Sequence, residues 1–423
     1  MNRLIGTLET EATTVATIDR IRNPLNRMTK IVGATLVVAR STLVVAGGGR
    51  VGILNNGTGQ ARPRSRCSLG VCYRRAIDPW RTCLTHRDIA RAVLAVVLAG
   101  SIQAQTTVKT NDDPGLAIST DPGERVLTYD FPAFHVGIAE YPDGPTGVTV
   151  LHFPNGANMA LDVRGGSPGV VGDYGFVHAI SLAGGSLLGL EAASGVAAEL
   201  LARGGYEGDW NSIPLVSGGI VYDFGPRDNS IYPDKRLGRA ALRSAMPNRF
   251  PLGARGAGMS VTVGNGFEFD RGEPAGQGAA YREIGGVKFF ACVVLNAIGA
   301  VFDRDGNVVR GHVDPRSGER TTYIEDIEHR VEAAQAARDP QPGNTTITVV
   351  VTNQTVRGHD LIQLGRQVHS SMARAIQPFH TRDDGDALWM VSTGEVELPQ
   401  WSLTGLGVVA SEVVWDAVLV AHP

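Results

Sequence analysis

An α/β fold of packed layers is predicted from three features of this 423-residue chain. Short β-branched apolar runs bounded by Gly or Pro recur from about Tyr129 onward and read as buried strands. Between them lie segments whose apolar side chains return at helical spacing. The two kinds alternate in mixed order with no internal repeat, the pattern of helix and sheet layers laid on each other.

Composition supports a globular chain, with 43% hydrophobic and 19% charged residues and length enough for one large core or two smaller ones. A net charge of -3 gives no electrostatic case for nucleic acid or an anionic membrane surface as a partner. The 53 glycines exceed the usual ~7% and come in short clusters such as Gly184-Gly185, which implies many tight turns and close backbone contacts. Of the four cysteines, Cys67, Cys72 and Cys83 lie early, and Cys292 sits in the apolar run "FFACVVL" as a buried thiol. No spacing suggests a metal site or a disulfide framework.

Residues 1–105 stand apart. "RPRSRCSLGVCYRR" is basic and patternless, and no fold is assigned to this extension. It ends in "HRDIARAVLAVVLAGSIQAQ", where residues 87–104 have the shape of a secretory signal: basic residues, a short apolar run from Ala92 to Ala99, then small and polar residues. The run is too short to span a bilayer. Two readings stay open. Either translation begins later and this segment exports the protein to the periplasm or medium, or the extension carries a chance apolar patch and the protein is cytoplasmic.

Residues 106–423 read as one domain. "VGIAEY" and "TGVTVLHF" predict a hairpin across "PDGP". "HAISLAGGSLLGLEAASGVAAELLARGGY" predicts a Gly/Ala-rich buried helix ending at Gly204-Gly205. "IPLVSGGIVYDF", "GAGMSVTVGNGFEF" and "VKFFACVVLNAIGAVFD" predict strands, and "IEDIEHRVEAAQAARDPQPG" a polar helix or linker. "PGNTTITVVVTN" follows, with Ile347 to Val351 as a core strand. "LIQLGRQVHSSMARAI" places Leu361, Leu364, Val368, Met372 and Ile376 on one helical face, stopped by Pro378. "HTRDDGDALWMVSTGEV" predicts an acidic turn entering a strand, and "LGVVASEVVWDAVLVA" a last amphipathic helix.

Common catalytic signatures are missing: there is no G-x-S-x-G elbow, P-loop or H-E-x-x-H, and "GAGMSVTVGNG" is not a dinucleotide fingerprint. His369 adjoins Ser370 and Ser371, but adjacent helical side chains do not face each other. One stretch remains. A Thr at the first position of a buried strand becomes a nucleophile if the preceding peptide bond is cut. Its new α-amino group, with a pKa of about 8, then serves as base for its own hydroxyl. Read alone, Asn344 and Thr345 before a strand are first of all plain turn chemistry.

The surroundings weigh on that choice. "GNTTITVVVTN", "QVHSSMARAIQPFHTRDDGD" and "ASEVVWDAVL", with "DVRGGSPG", "HAISLAGGS", "VYDFGPRDNSIYPDKRLGRAA" and "GAGMS" upstream, closely resemble the self-cleaving N-terminal-nucleophile amide hydrolases. That family holds the L-aminopeptidase/D-Ala-esterase, the β-aminopeptidases and the nylon-oligomer hydrolases, and the resemblance is nearest to the last. It runs from about Tyr129 to Ala421. It implies an α-β-β-α sandwich, autoprocessed after Asn344 into a large subunit of 106–344 and a small one of 345–423. Family members assemble as oligomers, so a homotetramer of processed heterodimers is implied, with no cofactor or metal.

The resemblance also implies site roles. Thr345 matches the nucleophile, and Asn296 in "VVLNAIG" matches an oxyanion-stabilising amide. Tyr222 in "IVYDF" matches a tyrosine that orients substrate or shares a proton. Asp384 and Asp386 match an acidic pair that orients and charge-balances the Thr345 amine, while Asp383 reads as turn chemistry. Asn265 departs from the pattern, because the nylon-oligomer hydrolases carry a Lys there that aids proton handling; Lys235 and Lys288 are the nearest lysines in sequence.

Three functions follow. The first is an amide hydrolase of linear oligomers such as those of 6-aminohexanoate. The second is an aminopeptidase, β-aminopeptidase or D-esterase with the same nucleophile. The third is a self-cleaving, catalytically idle binding protein.

Overall fold

A computed structural model describes residues 108–266, 271–333, 335 and 343–423. The extension 1–105, its signal-like segment and Pro342 lie outside the described residues.

The predicted hairpin forms from β1 (His135–Tyr141) and the long β2 (Thr146–Val163). β2 is paired along its first half with β1 and along its second half with a later strand, and its pairing with the strand Phe176–Ala183 shifts register between His152 and Ala157. One sheet of ten strands results. Its principal members besides β1 and β2 are β3 (Phe176–Ala183), β4 (Val216–Ile220), β5 (Gln277–Ile284), β6 (Val287–Asn296), β7 (Thr345–Gln354) and β8 (Ala387–Val396). They run in the order β5-β6-β7-β8-β2-β3-β4. Pairing is antiparallel except at β7–β8 and β3–β4, which are parallel.

Five helices accompany the sheet among the described residues: α1 (Glu191–Arg203), α2 (Lys235–Arg243), α3 (Tyr323–Glu332), α4 (Gly358–Ser371) and α5 (Leu403–Leu419). The α1–α2 pair packs on β1, β3 and β4, and the α4–α5 pair on β2, β5, β6 and β8. None of these helices is long and apolar enough to cross a membrane.

Several boundaries differ from the predicted ones. The stretch from His178 was expected to be helical, but it extends as β3, and helix begins only at Glu191. Gly184 and Gly185 break the run, and Ala179 to Ala183 pair on both edges, with β2 and with β4. Pro378 was expected to stop α4, yet α4 ends at Ser371, because Ile376 and Gln377 pair instead with Val301 and Ala300. "VKFFACVVLNAIGAVFD" divides into β6 and a short strand, Ala300–Phe302. "GAGMSVTVGNGFEF" forms a 3-10 turn, Gly256–Gly258, and a two-residue strand, Thr262–Val263, among its described residues. Its glycines and polar residues leave little apolar edge to pair.

β7 shows why this strand sits at the centre. All ten of its residues are buried, and its β-branched side chains pack on both faces of a strand that has neighbours on both edges. Cys292 on β6 is fully buried, and burial pushes its thiol pKa up, consistent with an inert core residue. His369 faces away from its serine neighbours and bonds through Nδ1 to Asp162 at 2.9 Å.

Trp389 ties distant strands together. From β8 its Nε1–H donates to Ser217 Oγ on β4 at 2.7 Å, and Ser217 in turn donates to the Val171 carbonyl. Trp389 and Ser217 are fully buried. Ser217→Ala leaves the Trp389 N–H unpaired and is expected to cost about 1–3 kcal/mol, read as a lower urea midpoint. An unchanged midpoint contradicts this role.

Candidate active site

Three strand ends meet at one edge of the sheet. β6 finishes at Asn296, β7 starts at Thr345, and the two are directly paired. β8 starts at Ala387, opposite Ile347, so the turn before it carries Asp384 and Asp386 alongside Asn344 and Thr345. Strand register alone therefore gathers five of the sequence-predicted residues, Asn296, Asn344, Thr345, Asp384 and Asp386.

The Asn344–Thr345 peptide is held from several sides. The Asn344 carbonyl accepts the Gly385 N–H at 2.9 Å and the Thr345 hydroxyl at 2.5 Å. The Thr345 hydroxyl thus lies against the carbonyl of its own preceding residue. Gly385 must lack a side chain: a Cβ there would lie 2.7 Å from both Thr345 Oγ1 and the Ser167 carbonyl. Gly343 has φ +104° and rests on the Tyr222 ring, which a Cβ would meet at 2.5 Å. Only glycine combines that backbone conformation with that closeness.

Asn296 and Asn265 flank this peptide. The Asn296 amide donates to the Gly343 and Tyr222 carbonyls, both at 3.0 Å, while its Oδ1 accepts the Thr262 N–H. Asn265 donates from Nδ2 to Asn344 Oδ1 at 2.9 Å, and its own Oδ1 is buried without a partner. Neither nearby lysine joins the site. Lys288 pairs with Asp130, and Lys235 opens α2 on the surface.

Tyr222 is anchored by its neighbours. Asp223 and Arg227 form a fully buried ion pair at 2.6 Å. The Asp223 carboxylate also accepts Gly185 N–H and the Thr146 hydroxyl, and Arg227 donates to the carbonyls of Asp223, Gly144 and Ile231. The satisfied pair fixes the "VYDFGPR" segment and with it the ring under Gly343.

The acidic pair is buried and fully engaged. Asp384 Oδ2 accepts the Thr381 N–H and hydroxyl, and Oδ1 accepts Ile298 N–H at 3.4 Å. Asp386 Oδ1 accepts Thr346 N–H, and Oδ2 accepts from His380. Burial, then the neighbouring Asp386 charge, raises the Asp384 pKa to about 7. "DVRGGSPG" closes over the turn, with Arg164 and Gly165 N–H groups on the Asp386 carbonyl and Ser167 N–H on that of Asp384.

Sequence reasoning named the side chains here but missed the Gly385 N–H, Thr381 and His380. Backbone donors leave no side-chain signal. The "HTRDD" turn resembles a solvated loop until its contacts are known.

No cluster of three or more His, Cys, Asp or Glu suited to a metal occurs among the described residues. The sequence profile of Peptidase family S58 matches residues 128–422. The chain belongs to peptidase family S58. This S58 member is 47% identical over 321 residues to the 6-aminohexanoate-oligomer endohydrolase of Agromyces sp., covering 74% of this chain and 90% of that one. It is 48% identical over 309 residues to a protein of the same name from Kocuria sp., covering 71% and 86%. A solved structure from Pyrococcus horikoshii OT3 is similar in fold, with TM-score 0.51 and 19% identity, covering 72% of this chain and 89% of that one. The S58 match takes in the whole strand-end cluster, from Tyr222 to Asp386.

Two predictions follow from the geometry. Gly385→Ala disturbs an N–H that holds the Asn344 carbonyl, so breakage of the 344–345 bond should slow by about 10²-fold, followed on a gel over time. Cleavage at the unchanged rate contradicts that placement. For the acid pair, the folded chain keeps a proton on Asp384 between about pH 4 and its raised value, where the unfolded chain has lost it. Stability of an uncut Thr345→Ala chain should therefore fall as pH rises from about 4 to about 7, and Asp384→Asn should flatten that slope in urea unfolding.

Proposed function

We propose that this S58 chain cuts itself between Asn344 and Thr345 and then hydrolyses amide bonds with Thr345 as nucleophile. Its substrates are linear oligoamides of the 6-aminohexanoate type. The observation that carries the reading is the Thr345 hydroxyl against the Asn344 carbonyl, whose oxygen already accepts the Gly385 N–H.

In the first reaction Thr345 Oγ adds to the Asn344 carbonyl carbon, and Gly385 N–H stabilises the oxyanion. The hydroxyl proton passes to the Thr345 nitrogen as the C–N bond breaks, leaving an ester. Water hydrolyses that ester to an Asn344 carboxylate and a Thr345 with free amine and hydroxyl. Asn265 holds the Asn344 side chain during this step. Asn265 supplies a neutral donor where the nylon-oligomer hydrolases carry a charged Lys.

Thr345 is 4% exposed while Gly343 and Asn344 remain in place. Those two residues occupy the position that the acyl side of a substrate takes later. Once they leave, the Asn296 amide loses the Gly343 carbonyl and donates to the substrate oxyanion. The free amine of Thr345 takes the hydroxyl proton, the ionised acid pair orients the resulting ammonium, and Tyr222 lines the acyl side.

The oxygens of Asp384 and Asp386 accept from protein donors, and in this reading their charge serves the Thr345 ammonium and not a substrate amine, so cleavage falls within the chain. The name of the Agromyces and Kocuria relatives points the same way. The α-β-β-α layering of this family is supported by the two helix pairs on different strands and by the Trp389–Ser217 bond between non-adjacent strands. Assembly as a homotetramer of processed heterodimers belongs to the same reading.

Incubation with a 6-aminohexanoate oligomer whose amine is blocked tests the proposal. Wild type should cleave it at internal bonds, and Thr345→Ala should lose at least about 10³-fold of that activity. Strict dependence on a free amine points to an aminopeptidase instead, and inert but cleaved protein to a binding role.

A further inference from the structure

We propose that His380 is a positioning residue for the acidic pair, holding the Asp386 carboxylate fixed beside the start of the nucleophile strand. The inference rests on the function proposed above, but its geometry stands separately. Asp386 Oδ2 accepts two hydrogen bonds from this one residue, from the His380 backbone N–H at 2.9 Å and from Nδ1 at 3.1 Å. His380 adopts φ +60°, a conformation uncommon outside glycine, and in it the backbone and ring donors converge on a single oxygen. The other Asp386 oxygen accepts the Thr346 N–H at 2.8 Å, one residue from the nucleophile.

The groups behind His380 keep its ring in place. His369, from α4, meets it edge-on with centroids 4.3 Å apart, and Phe379 packs on both rings. His369 bonds through Nδ1 to Asp162, which also pairs with Arg164. With each Nδ1 facing a carboxylate, both rings donate from Nδ1 and carry a lone pair at Nε2, and both Nε2 atoms are buried without partners. Burial lowers the His369 pKa despite its Asp162 partner. Among the described residues, Asp384 lies on the same turn, the Arg382–Asp383 pair at the surface, and Tyr323 close enough to feel the Asp384 and Asp383 charges.

His380 touches no reacting atom, so it acts through the pair. An N–H directed at a carboxylate favours its charged form. Without the Nδ1 donor the pair binds its shared proton more tightly, and the pH at which it ionises rises by about one unit. Less of the ionised pair is then present at neutral pH to hold the Thr345 ammonium.

The test compares pH–rate profiles for oligomer hydrolysis by wild type, His380→Ala and His380→Asn. Asn places an amide N–H near the Nδ1 position and tolerates positive φ. His380→Ala should raise the midpoint by about one pH unit, with about tenfold lower activity at neutral pH, and His380→Asn should return the midpoint to the wild-type value. If His380→Ala does not fold, His380→Gly, which keeps the positive φ and removes only the ring, should show the same upward shift. A loss of rate with no shift in midpoint overturns the proposal, as does an Asn variant displaced as far as Ala. Carboxyl ¹³C NMR titration of Asp384 and Asp386 in uncut Thr345→Ala chains reads the same shift without any catalysis. Failure of the proposed function then shows as an inactive wild type, while failure of the His380 role shows as an unmoved titration.

Discussion

The register between β7 and β8 is the constraint on which the rest of the site depends. It sets Asn344 beside Asp384 and brings the Gly385 N–H onto the Asn344 carbonyl. A slip of one residue would turn every alternate side chain to the other face and move the donor off the carbonyl. The fully buried, β-branched body of β7 resists such a slip, since its side chains fit defined places in the core on both faces. Core packing and site geometry are thus one problem here: the apolar strand fixes the position of the polar peptide at its end. The closure of "DVRGGSPG" over the acidic turn adds backbone hydrogen bonds from the other side, so the turn is held as well as the strand.

Much of this arrangement was legible in the sequence. The run Ile347–Val351 announced a core strand, and Thr345 stood at its first position. The mixed order of strands and helices gave the α/β class, and the family resemblance supplied Asn296, Tyr222, Asp384 and Asp386. The structure brings all four to the same strand ends. What stayed hidden arises from contacts between distant segments or from the main chain. Gly385 acts through its N–H and through having no Cβ, neither of which distinguishes it from any turn glycine. His380 matters because the chain folds back onto Asp386 six residues later. The strand at His178 was misread as helix because Ala, Leu and Gly fit both periods, and sheet pairing on both edges decided the outcome.

Electrostatics links these parts. Two carboxylates close together in a buried turn cannot both lose their protons easily. Burial, then the Asp386 charge beside it, raises the Asp384 pKa to about 7, while Asp386 accepts from Thr346 and His380. A group that titrates near neutral pH therefore lies beside the Asn344–Thr345 peptide. Asn265, neutral and bonded to Asn344, leaves the acid pair as the principal charge beside Thr345.

Self-cleavage before Thr345 is the central claim, and N-terminal sequencing of the purified small fragment tests it most directly. The expected result is a fragment beginning Thr-Thr-Ile-Thr-Val, with Thr345 first, that is missing from Thr345→Ala preparations. A chain that remains continuous through Asn344 and Thr345, yet hydrolyses oligoamides, would contradict it.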